Sequence, residues 1–336
     1  MTIKDLSAQT GYSVGTVSRV LNNQPNVSQK ARQAVLAAAE ASGFQLNTMA
    51  KQLRQQRPTS ILVVVKGTSN ELFGSLVESI GSLVTRSPYP LIVDYIDEDD
   101  NEVRQAVQLC REKKPLGILI LGGNKRNFAA DFHNIHQPCV LVTNDASGLP
   151  FANLSSVTTD DRLAAARAIE HLVSLGHRRI AVVGGDQSVS DTSRLRYEGC
   201  LDAFARYGIA FDEARDYRAG RYSYAHGYRA TQALLAQGQA FTAIFAMADV
   251  MAIGTIRALK DHGLRVPEDV SVMGFDGLNI GEYFVPKLAT ISQSVEDLAA
   301  RSVEILRDCI ESGGKARHET VPFAVEWKES ARCLGS

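Results

Sequence analysis

Residues 14–23 read VGTVSRVLNN. Val17, Val20 and Leu21 fall three and four positions apart, on one helical face, and the other positions are small, polar or basic. Ser13 stands where a helix N-cap belongs, and Pro25 ends the segment, because proline disfavours helix at the residue before it. A short helix precedes this one. Thr2 followed three residues later by Asp5 is a capping-box pattern, and Gly11 interrupts the run. A third helix follows, capped by Ser28, carrying Ala31, Val35, Leu36, Ala38 and Ala39 inward and stopping at Gly43. Two short helices across a glycine-bearing turn are predicted to form a helix-turn-helix, with Leu6, Val17, Val20 and Leu21 as its small core. The exposed face of the second helix then presents Ser13, Val14, Gly15, Thr16, Ser18, Arg19 and Asn22. Small hydroxyls, an amide and an arginine suit phosphate contact and the reading of base edges.

Charge follows the same division. Residues 1–57 carry seven Lys or Arg against two Asp or Glu, while the chain of 336 residues has a net charge of −1. A basic head on an acidic body is the asymmetry of a nucleic-acid arm carried by a globular part. With 45% apolar and 22% charged residues, global disorder is excluded. No apolar run approaches the ~20 residues of a membrane span, so no membrane partner is expected. The polar opening MTIKDL lacks the apolar core of a secretory signal, so a cytoplasmic location is expected. Five scattered cysteines, never in a C-x-x-C pair, argue against a disulfide framework or a zinc site. Nothing in the sequence calls for a cofactor or a metal.

Beyond Pro58 the pattern changes. Residues 61–65 are a continuous, mostly β-branched apolar run, the mark of a buried parallel strand. Strands are predicted at 61–65, 91–96, 116–121, 140–143, 180–183, 243–247 and 270–274. Helices are predicted at 71–84, 102–113, 160–175, 195–207, 225–236 and 250–262. Such alternation means doubly wound parallel sheets. The strands are too many for one lobe, and a break at 158–161 divides them into two lobes. Ligands of open parallel sheets bind beyond the carboxyl ends of the strands, so the lobes are expected to share a cleft.

The run TVSRVLNN at 16–23 resembles the DNA-binding head of the LacI/GalR family of bacterial repressors. IKDL at 3–6, VS at 27–28, GF at 43–44 and LNTMAKQLR at 46–54 extend the match. The body matches as well, in NELFGSL at 70–76, LVSLGHRRIA at 172–181, RLRYEG at 194–199 and VPEDVSVMGFD at 266–276. The resemblance implies a small all-α helix-turn-helix domain followed by an α/β body like a type I periplasmic sugar-binding protein, with three crossovers between its lobes. The implied limits are 1–46 for the head, 47–58 for a hinge, 59–158 plus 291–319 for one lobe and 159–290 plus 320–336 for the other. In the hinge, Leu53 would be the wedge inserted into the minor groove, with Asn47 and Ala50 beside it; an apolar wedge flanked by Lys and Arg bends the duplex. Ser28 would join the DNA contacts. In the cleft, Arg196 and Asp276 would hydrogen-bond an effector, Phe73 and Tyr222 would offer ring faces, and Asn144 and Asp249 would complete the set. A guanidinium fork and a carboxylate suit vicinal hydroxyls.

The resemblance therefore implies a homodimeric transcription regulator, usually a repressor, of palindromic double-stranded operator DNA, controlled by a small molecule. Two departures bear on that molecule. Ala248 stands where many members carry an asparagine, and Ser190 lies in the loop where purine-responsive members carry an arginine. They favour a carbohydrate over a purine. Gly15 replaces a base-reading side chain, so recognition leans on Val14. A solute-binding protein without DNA function is the alternative, opposed by the basic head. An enzyme is a third class. GYSVG at 11–15 fits G-x-S-x-G, but that elbow needs a preceding strand, and the flanks here are helical. The chain is not expected to be an enzyme.

Overall fold

A computed structural model describes residues 3–21, 27–42, 60–68, 70–85, 87–238 and 241–335. The chain divides into two compact units, Met1–Arg57 and Pro58–Ser336. The first holds α1 (Ile3–Thr10), α2 (Val14–Leu21) and α3 (Gln29–Ala41). Gly11, at φ 69°, makes the turn between α1 and α2, a conformation that costs glycine little. Ser13 Oγ accepts from Thr16 N at 3.2 Å, and Ser28 Oγ accepts from Ala31 N at 3.3 Å, so both caps form as read. Leu6, Val17, Val20, Val35 and Ala39 close the core, with Leu21 packed against it. Leu36 departs from the expectation and is 48% exposed. Ala31, Val35 and Ala39, spaced by four, already fill the one stripe that so small a core can cover.

The second unit contains β1 (Ile61–Lys66), β2 (Leu91–Ile96), β3 (Gly117–Leu121), β4 (Cys139–Val142) and β5 (Leu154–Thr159), then β6 (Ile180–Gly184), β7 (Tyr217–Ala219), β8 (Ala243–Ala246), β9 (Ser271–Asp276) and β10 (Ala289–Gln293), and last β11 (His318–Val321) and β12 (Phe323–Glu326). Between them run α4 (Glu71–Val84), α5 (Glu102–Lys113), α6 (Lys125–Asp131), α7 (Asp161–Ser174), α8 (Asp191–Arg206), α9 (Glu213–Asp216), α10 (Tyr224–Ala236), α11 (Asp249–Asp261), α12 (Ile280–Tyr283) and α13 (Val295–Ser312). Two six-stranded sheets result, ordered β11-β5-β4-β3-β1-β2 and β12-β10-β9-β8-β6-β7. All pairings are parallel except β10 with β12.

Helices cover the sheets, so β1, β3 and β8 are buried on both faces and read as unbroken apolar runs. The sequence reading did not find β5, LSSVTT, whose polar residues are buried all the same. Its hydroxyls are satisfied locally: Ser155 Oγ accepts from Arg317 N, and Ser156 Oγ accepts from Ala146 N. The chain passes between sheets three times, at Asp160, at Ser294 and at Pro322. Ile291 itself lies in β10 of the second sheet, and the return to the first begins with α13, which packs on α4. Among the described residues no helix is long and apolar enough to cross a membrane.

Each sheet reverses its strand order once near its middle, the first between β1 and β3, the second between β6 and β8. Connections leave such a switch point in opposite directions and open a crevice there. The two crevices face one another across a common cleft, lined by Lys66, Gly67, Gly122 and Gly123 from one sheet and by Gly185 and Asp186 from the other.

Candidate functional site

The cleft has a volume of about 470 Å³, within the usual range for small-molecule sites. Phe73, Asn144, Arg196, Tyr222 and Asp276 all line it. Asp249 does not. It is buried beneath, accepting from Leu278 N at 2.7 Å and from Thr290 Oγ1 at 2.6 Å, and so ties α11 to the strand ends. Nor is it a cap: the N-cap of α11 is Ala248, which makes no side-chain cap bond.

Arg196 is the centre of the site. It projects from α8 and is only 5% exposed. Nε donates to Asp161 Oδ1 at 2.7 Å and Nη1 to the Met247 carbonyl at 2.5 Å, while Nη2 stands 3.9 Å from Asp276 Oδ1. The guanidinium lies 3.6 Å over the Phe275 ring, close enough for a cation–π attraction. Burial opposes its charge, but Asp161, Tyr222 and Asp276 more than offset that, and its pKa is raised. Asp276 ends β9, 3% exposed, and accepts from Gln293 Nε2 at 2.8 Å. Tyr222 Oη and Ser193 Oγ are hydrogen-bonded at 2.7 Å. Phe73 packs against Gly122, where a Cβ would meet its ring at 2.9 Å. Asn144 Nδ2 donates to Thr192 Oγ1 at 3.1 Å and so links the two lobes. Thr143 and Asp276 have φ of 73° and 126°, and both line the cleft. Strained backbone of this kind is concentrated at ligand sites.

Sequence reasoning missed Asp161, Thr143 and Arg221. Asp161 reads as an ordinary acidic residue in a helix's first turn. No local spacing announces a partner 35 residues away. Arg221 sits at the mouth, where Nε lies 2.9 Å from Glu98 and the other nitrogens reach Asp97 and Asp99. Its only sequence signal is the acidic run at 97–100.

Burial pushes the Asp276 carboxyl up to about 7, against the opposing pull of Arg196 and Gln293. The sign follows from proton counting. Between its ordinary range and about pH 7 the folded protein holds a proton that the unfolded chain releases, so this group makes stability fall as pH rises. A ligand hydroxyl donating to the carboxylate favours the ionised form. Binding of a neutral polyol is therefore expected to tighten as pH rises towards about 7, by up to about tenfold per unit, and then to level off. Calorimetric titrations from about pH 6 to 8 check this; an affinity flat across the range would remove Asp276 from the ligand contacts.

In the first unit, α2 turns Val17 and Val20 inward and leaves Ser13, Val14, Gly15 and Arg19 exposed, with Thr16 and Ser18 half-buried at the two edges of that face. Ser28 is exposed at the start of α3. Exposed hydroxyls and a cation beside the apolar Val14 have the chemistry suited to groove and phosphate contact. Asn22, Asn47, Ala50 and Leu53 lie outside the described residues.

A helix-turn-helix unit and a clefted body of two parallel sheets are the parts of a ligand-responsive DNA-binding regulator. The description "Bacterial regulatory proteins, lacI family" matches residues 2–47, and "Periplasmic binding protein-like domain" matches residues 169–331. The HTH-type transcriptional regulator MalR of Clostridium butyricum is 34% identical over 95% of this chain and 95% of its own. The HTH-type transcriptional regulator GalR of Escherichia coli is 31% identical over 90% and 88%. Among solved structures, the lac repressor dimer bound to operator and the anti-inducer ONPF aligns with a TM-score of 0.75, 27% identity and 99% coverage of both chains. A LacI family regulator from Enterococcus faecium with bound ribose aligns with a TM-score of 0.71 and 26% identity over 82% of this chain and all of its own. The chain belongs to the LacI family of bacterial regulatory proteins. It is a DNA-binding transcriptional regulator.

Proposed function

We infer that this protein is a cytoplasmic repressor that binds a near-palindromic operator as a homodimer and is controlled by a carbohydrate in the interlobe cleft. It acts by binding and performs no catalysis. The cleft carries the reading: a cavity at two facing switch points, with a buried arginine and carboxylate flanked by two rings, offers directed donors, acceptors and apolar faces to a ring of hydroxyls. The ribose-bound relative supports a sugar, and the operator-bound lac repressor dimer supports the DNA and the two-fold assembly. Symmetry in the dimer would match symmetry in the operator. Effector binding would shift lobe closure, and through it the spacing of the two heads. The limits 1–46 for the head and 47–58 for the hinge belong to this proposal, while the lobe limits shift from those implied by the resemblance to the crossovers at Asp160, Ser294 and Pro322.

A thermal-shift screen against sugars, sugar phosphates and purines tests the cleft. A ligand at about 100 times its Kd adds about 2.7 kcal/mol and raises Tm by several degrees. Silence across all three classes would count against the effector assignment. Leu53→Ala tests the hinge. Loss of a wedge that unstacks a base step is expected to weaken operator binding by about 2–3 kcal/mol while leaving effector affinity unchanged. An unchanged operator Kd in a fluorescence-anisotropy titration at fixed salt would refute the wedge.

A further inference from the structure

The geometry points to an uncharged effector: the cleft is built to accept a neutral polyol and to turn away phosphate esters and carboxylates. This rests on reading the cleft as the effector site, and the observation behind it is the state of every cation there. Among the described residues, three Lys or Arg side chains line the cavity: Lys66, Arg196 and Arg221. Each is already held by carboxylates of this chain. Lys66 Nζ is 2.6 Å from Glu102 Oε2 and donates also to the Asp100 carbonyl at 2.7 Å. Arg196 is bonded to Asp161, with Asp276 beside it. Arg221 is surrounded by Asp97, Glu98 and Asp99. Among the described residues the lining carboxylate Asp186 bonds only to Ser188, a neutral partner.

Backbone donors that would cradle a phosphate are taken in the same way. After the Gly122-Gly123 turn, Asn124 N donates to Glu102 Oε1 at 2.7 Å and Lys125 N to Asp191 Oδ2 at 2.8 Å. The N-termini of α4 and α8 at the cleft are capped by Asn70 and Ser190 and carry Glu71 and Asp191 in their first turns. At Lys66 and Arg196, whose partners Glu102 and Asp161 are buried, a phosphate would have to displace a carboxylate and strand it in the interior, which is costly; at the half-exposed Arg221 it would meet three like charges. A hydroxyl needs no such exchange. It donates to the carboxylates or to Asn144 Oδ1 and accepts from Arg196 Nη2, with every ion pair and both Asn144 N–H bonds intact.

The test is calorimetric titration of the full chain at fixed ionic strength. The probes are glucose, galactose, ribose and cellobiose, a phosphate ester of each, the bases adenine and guanine, and inorganic phosphate. The sugar that binds is expected to lose at least about tenfold in affinity as its phosphate ester. Millimolar inorganic phosphate is expected to leave the wild type unbound and to bind the variant D97N/E98Q/D99N, in which Arg221 is released. A phosphate ester binding tighter than its parent sugar would overturn the proposal and leave the cleft a carbohydrate site. So would inorganic phosphate that binds wild type and variant alike, or neither. Binding confined to the bases would overturn both the carbohydrate reading and the neutral polyol proposed here.

Discussion

Arg196→Ala is expected to destabilise the body by about 3–5 kcal/mol and to abolish the response to effector. The sequence alone suggests a milder outcome, a silenced cleft on an intact fold. The structure changes that. The guanidinium is buried against Asp161 and Asp276, both nearly inaccessible to solvent. Removing it leaves two buried carboxylates without their cation and frees the Met247 carbonyl. Burial already pushes Asp161 upward despite Arg196, and without the cation it would be driven further toward its protonated form. At a few degrees per kcal/mol, the loss in Tm is about 6–20 °C, easily read by calorimetry. An Arg196→Ala chain that melts like the wild type would show that the pair is not formed. Because that variant risks unfolding, Asp276→Asn separates the roles. It keeps the shape and the Gln293 contact and removes the charge. It is expected to fold, to weaken the effector, and to abolish the rise of affinity with pH.

Gly199→Ala is expected to destabilise by about 2 kcal/mol and to blunt the same response. Gly199 lies inside α8, where alanine would ordinarily gain about 1 kcal/mol of helix propensity. Here a Cβ would collide with the Arg162 carbonyl oxygen, and that atom belongs to the backbone of α7, so it cannot rotate away. The two helices must separate. Arg196 lies one turn earlier on α8 and Asp161 one residue before Arg162 on α7, so the separation pulls the buried pair apart. Gly15→Ala is the control. Its Cβ would find only Ser13 Oγ, at 3.8 Å. That alanine is expected to stabilise the head by up to about 1 kcal/mol. If both alanines stabilise their helices equally, the close approach of α7 and α8 is wrong.

Much of this architecture is legible in the sequence. Hydrophobic period placed α4, α5, β1 and β3 within a residue or two, because their burial is one-sided for helices and two-sided for central strands. The strand β5 was not legible. Its serines and threonines look like a loop until neighbouring backbone supplies their partners. Leu36 failed the other way, an apolar residue at a position the small core had no room to cover. In the cleft, the resemblance named five residues that the fold brings together and one, Asp249, that it holds beneath.

By itself the sequence determined the α-helical head, the alternating body, the basic and acidic division, and the family, since all of these rest on local pattern or on residues counted in order. Only the tertiary structure decided what the charged residues do. Asp161 meets Arg196, Glu102 meets Lys66, and three carboxylates meet Arg221, through chain separations that no periodicity encodes. A side chain's type sets its charge. Whether that charge remains for a ligand depends on which partner the fold brings within about 3 Å, and that distance exists only once the sheets have closed around the cleft.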